Sequence, residues 1–140
     1  MVKTYKGTTS MKIMIVEDDM FSRKLMGAYL ESYGKCDLIS NGKEALEAIV
    51  LSQLEGERYR LVCLDIMMPG LSGQEVLQHL RSVEKELGIT PEEEAKVIMT
   101  SALQDCENVM GAFREQCDGY LVKPIDKEKL YKMIKDLELA

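Results

Sequence analysis

Residues 60–70 read RLVCLDIMMPG: an apolar run from Arg60 to Leu64 stops on a carboxylate, Asp65, and leads into the turn pair Pro69-Gly70. A short run rich in Leu, Val and Cys has the pattern of a strand buried on both faces. Such a strand needs covering elements above and below it, and the flanking sequence supplies them. Further strand-length runs are Met11 to Val16, Cys36 to Ser40, Lys96 to Thr100 and Gly119 to Val122. Helical periodicity falls between and after them, at about Phe21 to Tyr33, Gly42 to Leu54, Gly73 to Leu87, Gln104 to Gln116 and Lys127 to Leu139. In the last stretch Leu130, Met133, Ile134 and Leu137 keep the i, i+3, i+4, i+7 spacing of an amphipathic covering helix. Gly88-Ile89-Thr90-Pro91 ends the third helix, and Glu92 to Glu94 forms a solvated loop or short helical turn. Strict alternation of this kind predicts a doubly wound α/β fold, a five-stranded parallel sheet with helices on both faces.

With 140 residues, 46% hydrophobic and 30% charged, the chain suits one soluble globular domain, residues 11–140, behind a polar tail, residues 1–10. Lys and Arg total 18 against 24 Asp and Glu, and no basic stretch occurs, which argues against direct nucleic-acid binding. No apolar run approaches the roughly 20 residues of a membrane span, and the polar start is unlike a signal peptide. A cytoplasmic location is expected. Cys36, Cys63, Cys106 and Cys117 form no CxxC pair and read as reduced thiols, with Cys63 a small core residue. Zinc is disfavoured because the single histidine, His79, is remote in sequence from every cysteine and sits as a surface or packing residue in a helix.

In doubly wound sheets ligands gather beyond the carboxyl ends of the strands, where the strand order reverses. The first strand ends in Val16-Glu17-Asp18-Asp19, the third in Leu64-Asp65, the fourth in Thr100-Ser101 and the fifth in Val122-Lys123-Pro124. Asp19 is placed to cap the following helix. If the first and third strands are neighbours, their ends lie roughly 5 Å apart, and Glu17, Asp18 and Asp65 share a pocket. Like charges so close call for a cation, and an oxygen-only set suits Mg2+, or Mn2+ in its place. Taken singly each residue has a plainer reading: Asp65 as a turn former, Thr100 as an ordinary strand residue, Lys123 as a surface lysine, Tyr120 as a core aromatic.

The ordered set Glu17-Asp18, Asp65-Ile66-Met67-Met68-Pro69-Gly70 with Gly73, Thr100-Ser101-Ala102 and Tyr120-Leu121-Val122-Lys123-Pro124 resembles the receiver domains of two-component response regulators, over Met11 to Ala140. The resemblance implies the flavodoxin-like strand order 2-1-3-4-5. It implies that Asp65 is the phosphoacceptor, taking a phosphoryl group from a histidine kinase or histidine phosphotransferase. Asp18 and Asp65 would then ligate the metal directly, Glu17 largely through water, and Met67 through its main-chain carbonyl. Glu17, Asp18, Asp65 and Lys123 sum to a charge of -1-1-1+1 = -2, which one Mg2+ cancels. Lys123 can pair with Asp65 and then with a phosphoryl oxygen, to which Thr100 can also donate. By the same resemblance Thr100 and Tyr120 form the switch, and a downstream protein reads the face made by the fourth helical stretch, fifth strand and fifth helix. Whether that face also makes a homodimer is left open. A cis Lys123–Pro124 bond is frequent in such domains, while X-Pro bonds are generally trans, and the sequence leaves both open.

Met67 and Ala102 flank the path of attacking water and offer no side chain to orient it, so a long-lived phosphoryl state is expected. Because no output domain follows Leu139-Ala140, the expectation is a stand-alone receiver acting by protein contact, as a diffusible regulator or a phosphorelay intermediate. The main alternative is a Mg2+ phosphatase of the haloacid-dehalogenase type, which needs an acid where Met67 stands. A flavodoxin-like cofactor binder is disfavoured because Glu17-Asp18-Asp19 would repel a phosphate. A non-phosphorylated interaction module leaves the acid, threonine and lysine set without a purpose.

Overall fold

The computed structural model describes residues 11–102 and 116–139. Strand β1 (Met11–Val16) leads through helix α1 (Met20–Leu30) to β2 (Gly34–Ile39), and α2 (Gly42–Glu55) leads on to β3 (Leu61–Asp65). Helix α3 (Gly73–Glu86) and a 3-10 turn (Pro91–Glu93) precede β4 (Lys96–Ser101), and β5 (Gly119–Val122) is followed by α4 (Lys127–Asp136). The strands form one five-stranded sheet in the order β2-β1-β3-β4-β5, with every neighbouring pair parallel. This is the doubly wound architecture and strand order expected. The predicted fourth helix, Gln104 to Gln116, lies outside the described residues except for Gln116, which stands in a turn. Cys106 and the tail 1–10 also lie outside them.

The two faces of the sheet follow from strand pleating, which sends alternate side chains to opposite sides. Met14, Val16, Val62 and Leu64 pack with Ala45 and Ile49 of α2 and Val76, Leu77 and Leu80 of α3. Ile13, Ile15, Leu61 and Cys63 pack on the other side with Met26 and Leu30 of α1 and Leu130 and Ile134 of α4. Every residue of β3 is buried, as its unbroken apolar pattern required. The Cys63 thiol is buried in that layer, which pushes its pKa up to about 12 and leaves it inert at neutral pH.

Strand β2 begins at Gly34, ahead of the expected Cys36, for a steric reason. A Cβ on Gly34 would collide with the Met11 carbonyl oxygen, so the missing side chain is what allows β2 to pair from the first residue of β1. Helices α1 and α4 end at Leu30 and Asp136, ahead of the expected Tyr33 and Leu139. Tyr33 instead sits beyond α1 in a tilted ring pair with Tyr131, its centroid 5.3 Å away. Asp19, Asn41, Ser72 and Asp126 cap the four helices through their side chains, and Ser72 with Glu75 completes a reciprocal capping box. The caps at Asn41 and Ser72 fix where α2 and α3 leave the carboxyl end of the sheet, which is where the charged residues collect.

Candidate functional site

The site is assembled from the ends of four strands, β1, β3, β4 and β5, which are consecutive in the sheet. Beyond β1, the Glu17 backbone N–H donates to the Ile39 carbonyl at 3.0 Å, which extends the β1–β2 ladder by one residue. Glu17 is 4% exposed, Asp18 is exposed, and Asp19 turns the chain into α1 by accepting from the Ser22 N–H at 2.8 Å. At the end of β3, Asp65 is 3% exposed and lies opposite Thr100 in the β3–β4 register. Carboxylate oxygens of Glu17, Asp18 and Asp65 all lie within 4.8 Å of one another.

From the fourth strand end comes Thr100, 5% exposed, and from the fifth comes Lys123 across a cis bond to Pro124. The Lys123 backbone N–H donates to the Ser101 carbonyl at 2.8 Å and so keeps the lysine at the sheet edge of the pocket. Its ammonium lies 2.6 Å from Glu17 Oε1 and 3.3 Å from Asp65 Oδ2. Sequence reasoning paired Lys123 with Asp65; the shorter contact is to Glu17, which reaches the lysine from the opposite side of β3. Pairing raises the lysine pKa against the cost of its burial, the hydrogen bond to Glu17 contributing most. Asp65 is left undercompensated. Burial first, and then the charge of Glu17, push its pKa up to about 7, with Lys123 opposing both.

The remaining expected residues are distributed as follows. Met67 donates its backbone N–H to Asp65 Oδ1 at 3.3 Å while its side chain is 55% exposed. Tyr120 lies on β5 opposite Met99, one register position before Thr100, and is 40% exposed, so the plain reading of it as a core aromatic is wrong. It stands on the edge strand of the sheet. His79 is exposed on α3.

Sequence reasoning overlooked supporting contacts. The Arg23 guanidinium donates to the Glu17 carbonyl at 2.8 Å and the Asp18 carbonyl at 3.4 Å, which fixes the acidic loop from α1. The signal was an arginine in the first turns of the helix after an acidic pair, too common a pattern to single out. Gly73 was grouped with the Asp65 motif without a role. Its N–H donates to the Ile66 carbonyl at 3.0 Å, and a Cβ there would strike the Asp65 carbonyl oxygen and stand 2.9 Å from Ile66 Cα. Helix α3 can start this close to the Asp65 end of β3 only because residue 73 lacks a side chain.

Chemically, the pocket offers a carboxylate oxygen of unusual basicity, two further carboxylates, an ammonium group and a hydroxyl-bearing residue. All the clustered anionic ligands are hard oxygens, which fits a small divalent cation such as Mg2+ or Mn2+ and not a thiol- or imidazole-seeking metal. Among the described residues, no helix is long and apolar enough to cross a membrane.

Comparisons with known proteins point to one family. A profile described as "Response regulator receiver domain" matches residues 13–135. The regulatory protein VanRB of Enterococcus faecalis is 32% identical over 129 residues, 91% of this chain and 52% of that protein. The osmosensing histidine protein kinase SLN1 of Saccharomyces cerevisiae is 28% identical over 127 residues, 89% of this chain and 10% of that protein. The chain therefore spans about half the length of VanRB and a tenth of SLN1. A solved complex of the yeast histidine phosphotransfer protein Ypd1 with the receiver domain of the response regulator Ssk1 matches in fold. Its TM-score is 0.76 at 24% identity, covering 93% of this chain and 90% of that one.

Proposed function

The chain belongs to the response-regulator receiver family of two-component signalling, and from that premise we propose that Asp65 accepts a phosphoryl group from a phosphohistidine donor on a histidine kinase or histidine phosphotransferase. The domain is a phosphoacceptor and not a classical enzyme, which sets aside the dehalogenase-type phosphatase and the flavodoxin-like cofactor binder. In the reaction an Asp65 carboxylate oxygen attacks phosphorus in line, the P–N bond of the donor breaks, and an acyl phosphate forms. The observation that carries this reading is the convergence of Glu17, Asp18 and Asp65 oxygens within 4.8 Å of one another beside the Lys123 ammonium.

Glu17, Asp18, Asp65 and the main-chain carbonyl of Met67 would hold Mg2+, or Mn2+, which supplies charge neutralisation for an anionic donor. Lys123, already within 3.3 Å of Asp65, is placed to follow the negative charge as it moves onto the phosphoryl oxygens. Thr100 stands opposite Asp65 in register and carries a hydroxyl that can donate to the new group. Its movement would vacate space for Tyr120, whose 40% exposure leaves it free to turn inward, and so bias the β5 and α4 surface toward a downstream protein. Met67 and Ala102, with no water-orienting group, favour a slowly hydrolysed phosphoryl state.

The test is incubation with a small-molecule phosphodonor, with and without Mg2+, read by intact mass. Wild type gains one phosphoryl group only with the metal, and Asp65→Asn gains none. Modification of Asp65→Asn at the wild-type rate overturns the assignment.

A further inference from the structure

Helix α1 leaves the pocket with its first turn bonded back onto the acidic loop. Asp19 accepts from the Ser22 N–H at 2.8 Å, and the Asp19 carbonyl accepts from the Arg23 N–H at 2.9 Å. The half-buried side chain of Arg23 then returns past the helix start, where its Nη1 donates to the Glu17 carbonyl at 2.8 Å and the Asp18 carbonyl at 3.4 Å. The three acids of the pocket are held unequally. Glu17 Oε1 meets the Lys123 ammonium at 2.6 Å, and Glu17 Oε2 accepts from the Asp19 N–H at 3.1 Å. Asp65 Oδ1 accepts from the Met67 N–H at 3.3 Å, and Asp65 Oδ2 lies 3.3 Å from Lys123. Asp18 is exposed, and among the described residues Arg23 is the one side chain bonded to any atom of it.

We infer that Arg23 is a positioning residue for the divalent cation: by gripping the main chain of Glu17 and Asp18 it presents the Asp18 carboxylate to the pocket and raises metal affinity, although its own charge repels the ion. The inference rests on the proposal that Glu17, Asp18 and Asp65 hold that cation. Two effects of opposite sign meet in this one side chain. As a charge, a guanidinium beside three carboxylates competes with a second cation for the same field, and on that count its removal tightens metal binding. As a donor, it removes freedom from the loop before the metal arrives. An exposed carboxylate with no partner of its own is otherwise ordered at the expense of the binding free energy, unless the backbone beneath it is already fixed. The geometry favours the second effect. Nη1 is aimed at main-chain carbonyl oxygens and not at the carboxylates, so peptide dipoles take up part of its charge. Glu17 is also held by its own N–H, which donates to the Ile39 carbonyl at 3.0 Å, so loss of Arg23 falls on Asp18. Partners outside the ligand shell typically alter metal affinity about 10- to 100-fold, and one that acts through the main chain belongs at the low end.

The test is the rise in melting temperature of the full chain with Mg2+, titrated at constant ionic strength without phosphodonor, which yields an apparent Kd separately from the metal-free stability. Arg23→Met is expected to weaken Mg2+ binding about tenfold. Arg23→Lys, whose ammonium stops one bond short of the Nη1 position, is expected to fall between Arg23→Met and wild type. Met26→Ala, at a position 5% exposed, loosens α1 from the core and is expected to lower the metal-free melting temperature with the Kd unchanged. Mg2+ binding by Arg23→Met as tight as wild type or tighter overturns the inference, because the arginine then acts on the ion through its charge alone. A Kd raised as much by Met26→Ala overturns it too, by making the effect a general loosening of α1. Asp18→Asn separates the inference from the reading beneath it. If wild type and Asp18→Asn respond alike to Mg2+, both fall; a response lost in Asp18→Asn and kept in full by Arg23→Met overturns the role of the arginine alone.

Discussion

Replacing Asp65 with Asn should stabilise the metal-free protein at neutral pH and not in acid. The folded-state pKa of Asp65 is about 7, against 3.8 in a free chain. Between those values the folded protein holds a proton that the unfolded chain has released, so wild type loses stability as pH rises through the window and bears the full loss above it. A gap of about three units corresponds to about 4 kcal/mol as an upper bound. Asp18 is exposed and the Lys123 side chain is 28% exposed, so solvent reaches the cleft and screening brings the net to about 2 kcal/mol. Asparagine keeps the shape and removes the charge, while Lys123 retains Glu17 at 2.6 Å. In EDTA at pH 8, Asp65→Asn should therefore melt about 7 °C above wild type, and the gap should close toward pH 4. Saturating Mg2+ should narrow the gap at pH 8 by stabilising wild type preferentially. Urea denaturation at both pH values gives the free energies directly. An equal gain at pH 4 and pH 8 would mean that Asn acts through packing, and a loss at pH 8 would show that Asp65 is fully compensated; either result refutes the electrostatic argument.

Gly73→Ala places a methyl against the Asp65 carbonyl and should cost about 1–3 kcal/mol in denaturant unfolding, with slower phosphoryl uptake because the displaced atom belongs to the acceptor residue. Arg81→Met strips the partner from Glu84, whose side chain is 3% exposed, and also releases the carbonyls of Ala95 and Gln116 and the Asp118 carboxylate. A loss of about 3 kcal/mol is expected, larger than for Glu84→Gln, which keeps an acceptor for the Ala95 N–H; equal losses would mean the arginine contributes no charge pairing. Thr100→Ala should leave phosphoryl uptake largely intact while abolishing phosphorylation-dependent partner binding, measured by mass and by titration of the same sample. Parallel loss of both would contradict a switching role.

The fold was legible because β1, β3 and β5 announce themselves twice, once as apolar runs and once as acids or a lysine at the run's end. The parts that were not legible depend on approach between segments distant in sequence. Glu84 reads as one more solvated charge in Val83-Glu84-Lys85-Glu86, yet it is 2% exposed because Arg81 and the Ala95 N–H meet it in the fold. Periodicity identified α2 but could not choose between its two apolar sides, since only the position of the sheet decides which is buried. Pairing Lys123 with Asp65 was a reasonable reading of adjacency. Glu17 takes the shorter contact because it reaches across from β1 and shares the buried pocket.

That a charged cluster survives at this place follows from the strand that carries it. Leu61, Val62 and Leu64 are wholly buried, and burial of such side chains contributes about 1.5–3 kcal/mol each, more together than the roughly 2 kcal/mol charged against Asp65. The same strand is bonded on both sides, to β1 and β4, and the Ile66 N–H donates to the Thr100 carbonyl at 2.9 Å just past Asp65. The undercompensated carboxylate is thus held by backbone that has little freedom to relax. Strand β2, at the sheet edge with partly exposed residues along its length, has neither the burial to offset such a charge nor a second neighbour to hold it. Its carboxyl end passes through Ser40 to the Asn41 cap, and it adds no side chain to the group formed by Glu17, Asp18, Asp65, Thr100 and Lys123.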